Sequence, residues 1–259
     1  MGVLNVTPDS FSDGGEFLDA RAAIEHGRML ADEGADLIDV GGESTRPGAA
    51  SVPEEEELRR VLPVVEALVA EEIAVSIDTM KPGVARAAVS AGAVAINDVN
   101  GLRAPGMLEA AAELGAFVCI MHMLGDPRTM QQDPQYDDVV ADVLDWLLER
   151  AETAIRSGVP KNRIWLDPGI GFGKTVDHNL SLLRSVATFA TTGYPVLIGA
   201  SRKSFIGKIA DEPDAMNRLP GSLAAALYAA HKGARIVRVH DAAATVQALA
   251  IQSAILDAE

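Results

Sequence analysis

Apolar and polar positions along this chain fall into a repeating pattern of short apolar runs separated by longer stretches of helical period. The runs lie at 3–4, 37–40, 74–77, 94–96, 117–121, 164–166, 196–198 and 236–239, each short enough for a buried strand. Between them, amphipathic or alanine-rich stretches predict helices over about 19–33, 51–68, 82–91, 105–114, 138–157, 179–189, 222–232 and 244–256. Ser51 and Glu54 have capping-box spacing at the start of the second of these. Six glycines, Gly34, Gly92, Gly115, Gly158, Gly193 and Gly233, each stand between a helix and the next strand, where a left-handed C-cap is expected.

Strands that are apolar on both faces and alternate with helices imply a parallel sheet covered by helices. Eight such units in 259 residues predict an α/β chain folded as a single-domain (β/α)8 TIM barrel spanning residues 1–259. In that architecture, chemistry gathers where strands end. Those ends carry Asn5, Asp39, Asp78, Asn97, Met121 followed by His122, Asp167, Lys203 and Arg238 followed by His240. Polar ends can simply cap turns, but so many together describe a mouth for a flat, multiply hydrogen-bonding and negatively charged molecule.

The stretch 163–175 looks at first like a phosphate loop, because Gly173, Lys174 and Thr175 supply the end of G-x-x-x-x-G-K-[ST]. The first glycine of that pattern falls on Pro168, which has no amide to offer a phosphate. What remains is a strand delivering Asp167 to its tip.

Charge narrows the partners. Lys plus Arg is 22 against 37 Asp plus Glu, a net charge of -15, so nucleic acid and anionic membranes are disfavoured. An anionic substrate must then meet a local cluster of cations. No apolar run is long enough to span a bilayer, and no basic leader precedes the first strand, so no targeting segment is expected. The single cysteine, Cys119, forms no intrachain disulfide, which favours a reducing, cytoplasmic setting.

The motifs at the predicted mouth also carry a resemblance. Residues 5–15, 43–48 (Glu43-Ser44-Thr45-Arg46-Pro47-Gly48), 76–79, Asn97-Asp98, Asp167-Pro168-Gly169, Phe172-Gly173-Lys174, 201–204 and 238–241 resemble the dihydropteroate synthase family, in family order and from end to end. The resemblance implies condensation of 6-hydroxymethyl-7,8-dihydropterin pyrophosphate with p-aminobenzoate, with magnesium. It implies a pterin pocket of Asp78, Asn97, Met121, Asp167 and Lys203, and a pyrophosphate site of Asn5, Arg46, Arg238 and His240, with Asn5 at the metal. Phe11, Thr45, Arg46, Pro47, Phe172, Lys203 and Ser204 would form the p-aminobenzoate pocket, and Asp78, Lys203, Arg238 and His240 would carry catalysis. Ser204 would also open a helix whose N-terminus seats the aminobenzoate carboxylate.

The same resemblance implies sulfonamide competition with p-aminobenzoate and a homodimer packed through late helices. Members carry a lead-in ahead of the first strand, whereas Met1 here almost begins it, leaving open a mis-assigned start or a less covered barrel floor. Two other readings compete: a pterin-binding methyltransferase barrel and a non-catalytic pterin binder. Asp39 is expected to face the helices or the core as a satisfied acid, His122 to be structural or outer, and Lys174 to belong to the motif without direct ligand contact. His26, His178 and His231 fall in helical or turn contexts that suggest no chemistry.

Overall fold

The structure is a computed structural model that describes residues 1–7, 16–44, 51–127 and 129–258, with the side chains of 16–19 not described. Eight parallel strands occur among these: β1 Gly2–Asn5, β2 Ile38–Gly41, β3 Val75–Asp78, β4 Ala95–Asp98, β5 Phe117–Met121, β6 Ile164–Asp167, β7 Leu197–Ile198 and β8 Ile236–Val237. Strands β1 to β6 pair in sequence order, and β7 pairs with β8. Two bridges, Leu166 to Val196 and Gly2 to Val239, join the sheets into a ring. Backbone bonds from Val3 N to Val239 O (2.9 Å) and from Val239 N to Met1 O (3.0 Å) complete the closure. The predicted (β/α)8 barrel is therefore what the chain builds.

The helices are α1 Glu16–Asp32, α2 Glu54–Ala70, α3 Pro82–Ser90, α4 Met107–Leu114, α5 Val139–Arg156, α6 Val176–Arg184, α7 Val186–Ala190, α8 Ser204–Ala210, α9 Leu219–His231 and α10 Ala242–Leu256. The six expected C-cap glycines all have positive φ, from 63° at Gly115 to 109° at Gly92. Asp138 caps α5 through its side chain, accepting from the amides of Val140 and Ala141.

Two predicted boundaries are wrong for local reasons. The Ser51–Glu54 capping box does not form, and α2 opens at Glu54 with Pro53 at its N-cap. Pro53 pushes the residue before it out of helical torsions, so the helix cannot extend back past the proline to Ser51. The helix expected over 179–189 is instead α6 and α7, divided at Ser185. Helix α6 begins earlier than predicted because Thr175 and His178 form a capping box there, giving His178 a structural task.

Strand parity divides the side chains into two layers. Ile38, Val40, Ile77, Ile96, Val118, Ile120, Ile164 and Leu166 are fully buried and belong to one large cluster with Val61, Val65 and Leu68 of α2, Ala88 of α3 and Leu147 and Ala151 of α5. The alternate positions turn into the ring. They include Asp39, Ser76, Ala95 and Cys119, all fully buried, with Asp78, Asn97 and Asp167 above them. These inward residues are small or polar, which leaves space for a ligand near the mouth. At the floor, beside Met1, a cavity of about 390 Å³ is lined by residues including Leu37, Trp165, Ile236 and Leu249.

Candidate active site

Three hydrogen-bonded groups occupy the C-terminal rim. The first centres on Arg238, whose Nε donates to Asp39 Oδ2 (2.6 Å) and whose Nη2 donates to Asp78 Oδ2 (2.8 Å). Asn97 Nδ2 donates to the same Asp39 oxygen at 2.9 Å. Burial pushes the Asp78 carboxyl up to about 7, opposed by Arg238 and reinforced by the neighbouring acids Asp39, Glu57 and Asp98. Burial alone would lower the Arg238 guanidinium, but the carboxylates around it hold it above its ordinary value. In the adjoining register, Gly41 lies between Asn5 and Asp78, and a Cβ there would come within 3.3 Å of Asp78 Cβ.

The second group forms around β6. Asp167 Oδ1 accepts from the Gly169 amide at 2.7 Å, and burial raises its carboxyl, with Lys203 opposing. Lys203 donates to the carbonyl of Ile170 and lies 4.4 Å from the Phe172 ring centroid. Burial brings the Lys203 ammonium down to about 8, Asp167 resisting. Met121 and Phe172 share a small apolar patch with Met123 and Met130.

The glycine-rich turn spends its amides on the protein. Gly171 N donates to Asn179 Oδ1 at 2.6 Å, while Gly169 N is held by Asp167. At Gly169 the backbone is left-handed, φ 69°, and any Cβ would run into the His122 carbonyl oxygen. The turn is thus no phosphate loop, as Pro168 implied. Lys174 lies beneath it, buried, donating to Phe172 O (2.9 Å) and facing His122 Nδ1 (3.0 Å). Burial lowers Lys174 to about 7, and burial together with Lys174 lowers His122 to about 3. A neutral imidazole accepting at Nδ1 carries its proton on Nε2. His122 and Lys174 therefore clamp the turn to the end of β5.

The third group zips the end of β7 to the end of β8. Ser201 Oγ accepts from the His240 amide (3.2 Å) and sits 3.0 Å from His240 Nδ1. Arg202 grips Asp241 through two bonds, Nε to Oδ2 at 3.0 Å and Nη2 to Oδ1 at 2.6 Å. Lys203 then stands at the N-cap of α8, and Ser204 is its first residue, as the sequence suggested. Phe11, Thr45, Arg46 and Pro47 lie outside the described residues.

The structure thus joins Asp78, Asn97 and Arg238 in one network and Asp167, Lys203 and Phe172 in another. It corrects one expectation in part: Asp39 is buried in the barrel interior rather than turned to the helices, but only one of its oxygens is satisfied among the described residues. Its parity was legible, since Ile38 and Val40 on either side demand the outer layer. Ser201 and Asp241 were visible only as motif neighbours, because nothing in their spacing says that they pair across strands.

An inward-facing barrel mouth of acids, amides and cations is the site of a pterin-binding enzyme, and residues 1–240 match the family model described as "Pterin binding enzyme". The chain belongs, within that class, to the dihydropteroate synthase family. It is 51% identical over 260 residues to the dihydropteroate synthase of Escherichia coli K12, covering 100% of this chain and 92% of that one. The Xanthomonas albilineans dihydropteroate synthase solved with 4-aminobenzoic acid superposes with a TM-score of 0.95 at 52% identity, covering 100% of this chain and 93% of the other. The Yersinia pestis dihydropteroate synthase solved as a sulfonamide drug complex gives 0.94 at 47% identity, covering 100% and 94%.

Proposed function

We propose that this chain condenses 6-hydroxymethyl-7,8-dihydropterin pyrophosphate with p-aminobenzoate, releasing pyrophosphate and 7,8-dihydropteroate. The observation that carries this reading is the 2.8 Å bond from Arg238 to Asp78, which links a cation suited to a leaving pyrophosphate with an acid suited to the pterin. In this reading Asp167 accepts the paired amino and ring N–H donors of the pterin edge, and Asn97 meets the adjoining positions. Lys203 donates to the ring carbonyl side, and Met121 packs on the ring face.

The C–O bond to pyrophosphate breaks first, and its electron pair leaves with the pyrophosphate. Ionised Asp78 then offsets the positive charge spreading through the dihydropterin ring. The aminobenzoate nitrogen attacks the methylene carbon, and its extra proton is lost to solvent. Arg238, His240, Asn5 and Arg46 hold the departing charge. Phe11, Thr45, Arg46, Pro47, Phe172, Lys203 and Ser204 receive p-aminobenzoate.

Magnesium fits this set in a limited way. Among the described residues no group of three or more His, Cys, Asp or Glu is placed to hold a metal, and Asn5 contributes a single neutral oxygen. Such a donor suits an ion that keeps its waters and arrives on phosphate oxygens. When bound, magnesium supplies neutralisation of pyrophosphate charge.

Further expectations accompany the reading. Exposed Tyr228 on α9 and Ile251, Ile255 and Leu256 on α10 support a homodimer through these helices, which sedimentation at two chain masses would test. No described helix is long and apolar enough to cross a membrane, and Cys119 is buried and unpaired, which supports a cytoplasmic enzyme.

The deciding experiment is pyrophosphate release from the dihydropterin pyrophosphate with and without p-aminobenzoate. Release that requires p-aminobenzoate and collapses in Lys203→Ala is expected. Pterin binding without any release would instead favour a non-catalytic binder or a methyltransferase-like barrel. A sulfonamide should raise the KM for p-aminobenzoate without changing kcat, and turnover indifferent to a saturating sulfonamide would remove that expectation.

A further inference from the structure

The family resemblance gives Asp39 no task, yet it is the most deeply buried acid of the mouth network, with no exposed surface. Oxygen Oδ2 accepts two bonds, from Asn97 Nδ2 at 2.9 Å and Arg238 Nε at 2.6 Å. Oxygen Oδ1 has no partner among the described residues, and neither has Ser76 Oγ on the register neighbour. A buried carboxylate is a poor source of stability, since a well-packed apolar side chain generally does as well or better. Strand pairing does not require it either, because β2 is held by its backbone.

Its contacts define its task. An ionised carboxylate only accepts, so Asn97 must turn its NH2 toward Asp39 and present its carbonyl oxygen elsewhere, as an acceptor for a ligand. The same oxygen takes the Nε–H of Arg238, while Asp78 takes an Nη2–H, so the plane of the guanidinium is fixed. Nη1 bonds to none of the described residues and remains for an anion. Asn97 belongs to the pterin end of the proposed substrate and Arg238 to the pyrophosphate end, and a single oxygen serves both.

We propose that Asp39 is a positioning residue that orients Asn97 and Arg238 through Oδ2 and so couples pterin recognition to pyrophosphate departure. This rests on the synthase reading above. It concerns how the two halves of the substrate communicate, through a residue that touches neither.

The test is a set of double-mutant cycles read by kinetics and by calorimetric binding of a pterin that lacks pyrophosphate. Asp39→Ala should lower kcat/KM for the dihydropterin pyrophosphate by about 10- to 100-fold, the range for losing charge-assisted hydrogen bonds. The KM for p-aminobenzoate should stay within about 3-fold, and pterin affinity should fall by about 10-fold. Added to Asn97→Ala, Asp39→Ala should weaken pterin binding little further; added to Arg238→Ala, it should slow turnover little further. Asp39→Asn keeps one oxygen for both donors and should recover pterin affinity to within about 3-fold.

Losses that multiply independently in both cycles, or a KM for p-aminobenzoate that rises in parallel, would overturn the proposal in favour of a merely structural acid. Should Asp39→Ala fail to fold, Asp39→Ser carries the same cycles. Failure of the synthase reading looks different: the unaltered protein would release no pyrophosphate, while the Asp39–Asn97 cycle would still report on pterin binding.

Discussion

The two faces of the barrel strands obey opposite rules. Outward, Ile38, Ile77, Ile96, Ile120 and Leu166 are fully buried in the apolar cluster they share with the helices. Inward, one residue away along the same strands, Asp39, Asn97 and Asp167 are packed with charge and hydrogen bonds, joined by Arg238 just past β8. Burial of apolar area stabilises the first face, whereas the second carries desolvated charge that stabilises little. Stability and chemistry are thus separated by the two-residue period of a strand.

Removing Arg238 tests that separation most severely. Arg238→Ala would leave Asp39 buried without its counter-charge, so we expect a loss of about 3–5 kcal/mol of stability together with at least about 100-fold in kcat/KM. Urea unfolding beside pyrophosphate release measures both, and an unchanged urea midpoint would mean that the inner charges are not mutually dependent. Ile77→Ala should cost about 2–5 kcal/mol of stability. Its folded fraction should keep the KM values of the unaltered enzyme, and an altered pterin KM would show that the outer layer also shapes the site.

Acidity sharpens the contrast, because only the inner face titrates. The Asp78 carboxyl stands near 7 and the Lys203 ammonium near 8, so kcat/KM for the pterin substrate should rise as pH passes 7 and fall above 8. Asp78→Asn should abolish the acid limb from what activity remains; a limb that survives belongs to another group.

The smallest effect concerns Lys174, held near 7 when folded. An unfolded lysine stays protonated to about 10.4, so between these values the unfolded chain binds more protons and stability must rise with pH. The gain is at most about 1.4 kcal/mol per pH unit. Lys203, Asp78 and the Met1 amino group, lowered by burial, also contribute between pH 7 and 8, so Lys174 is read from the difference in slope of the urea midpoints between the unaltered protein and Lys174→Met. That variant should show the smaller slope, and an equal slope would return Lys174 to its ordinary acidity.

Most of this architecture was readable from residue order, and for a physical reason. Apolar strands, helical periods and C-cap glycines are local signals, so the eight units and the polar strand ends emerged directly. Pro53 overruled a plausible cap because its steric effect on the preceding residue outweighs one side-chain hydrogen bond. The roles of Asp39, Ser201 and Lys174 were not readable. Each depends on a partner brought close by ring closure: Arg238 199 positions from Asp39, His240 39 from Ser201, and His122 52 from Lys174.

The closing bridge between Gly2 and Val239 also has a consequence for synthesis on the ribosome. Strands β1 to β6 can pair in order as they emerge, but β1 and β6 then remain as open edges, able to recruit strands from other chains. Arg238 and His240 lie at the strand that seals this gap. A nascent chain therefore passes through a long interval in which most of its apolar strands exist while its mouth does not. Chaperone demand should peak in that interval, and truncations that remove β8 should yield aggregates rather than weak enzymes.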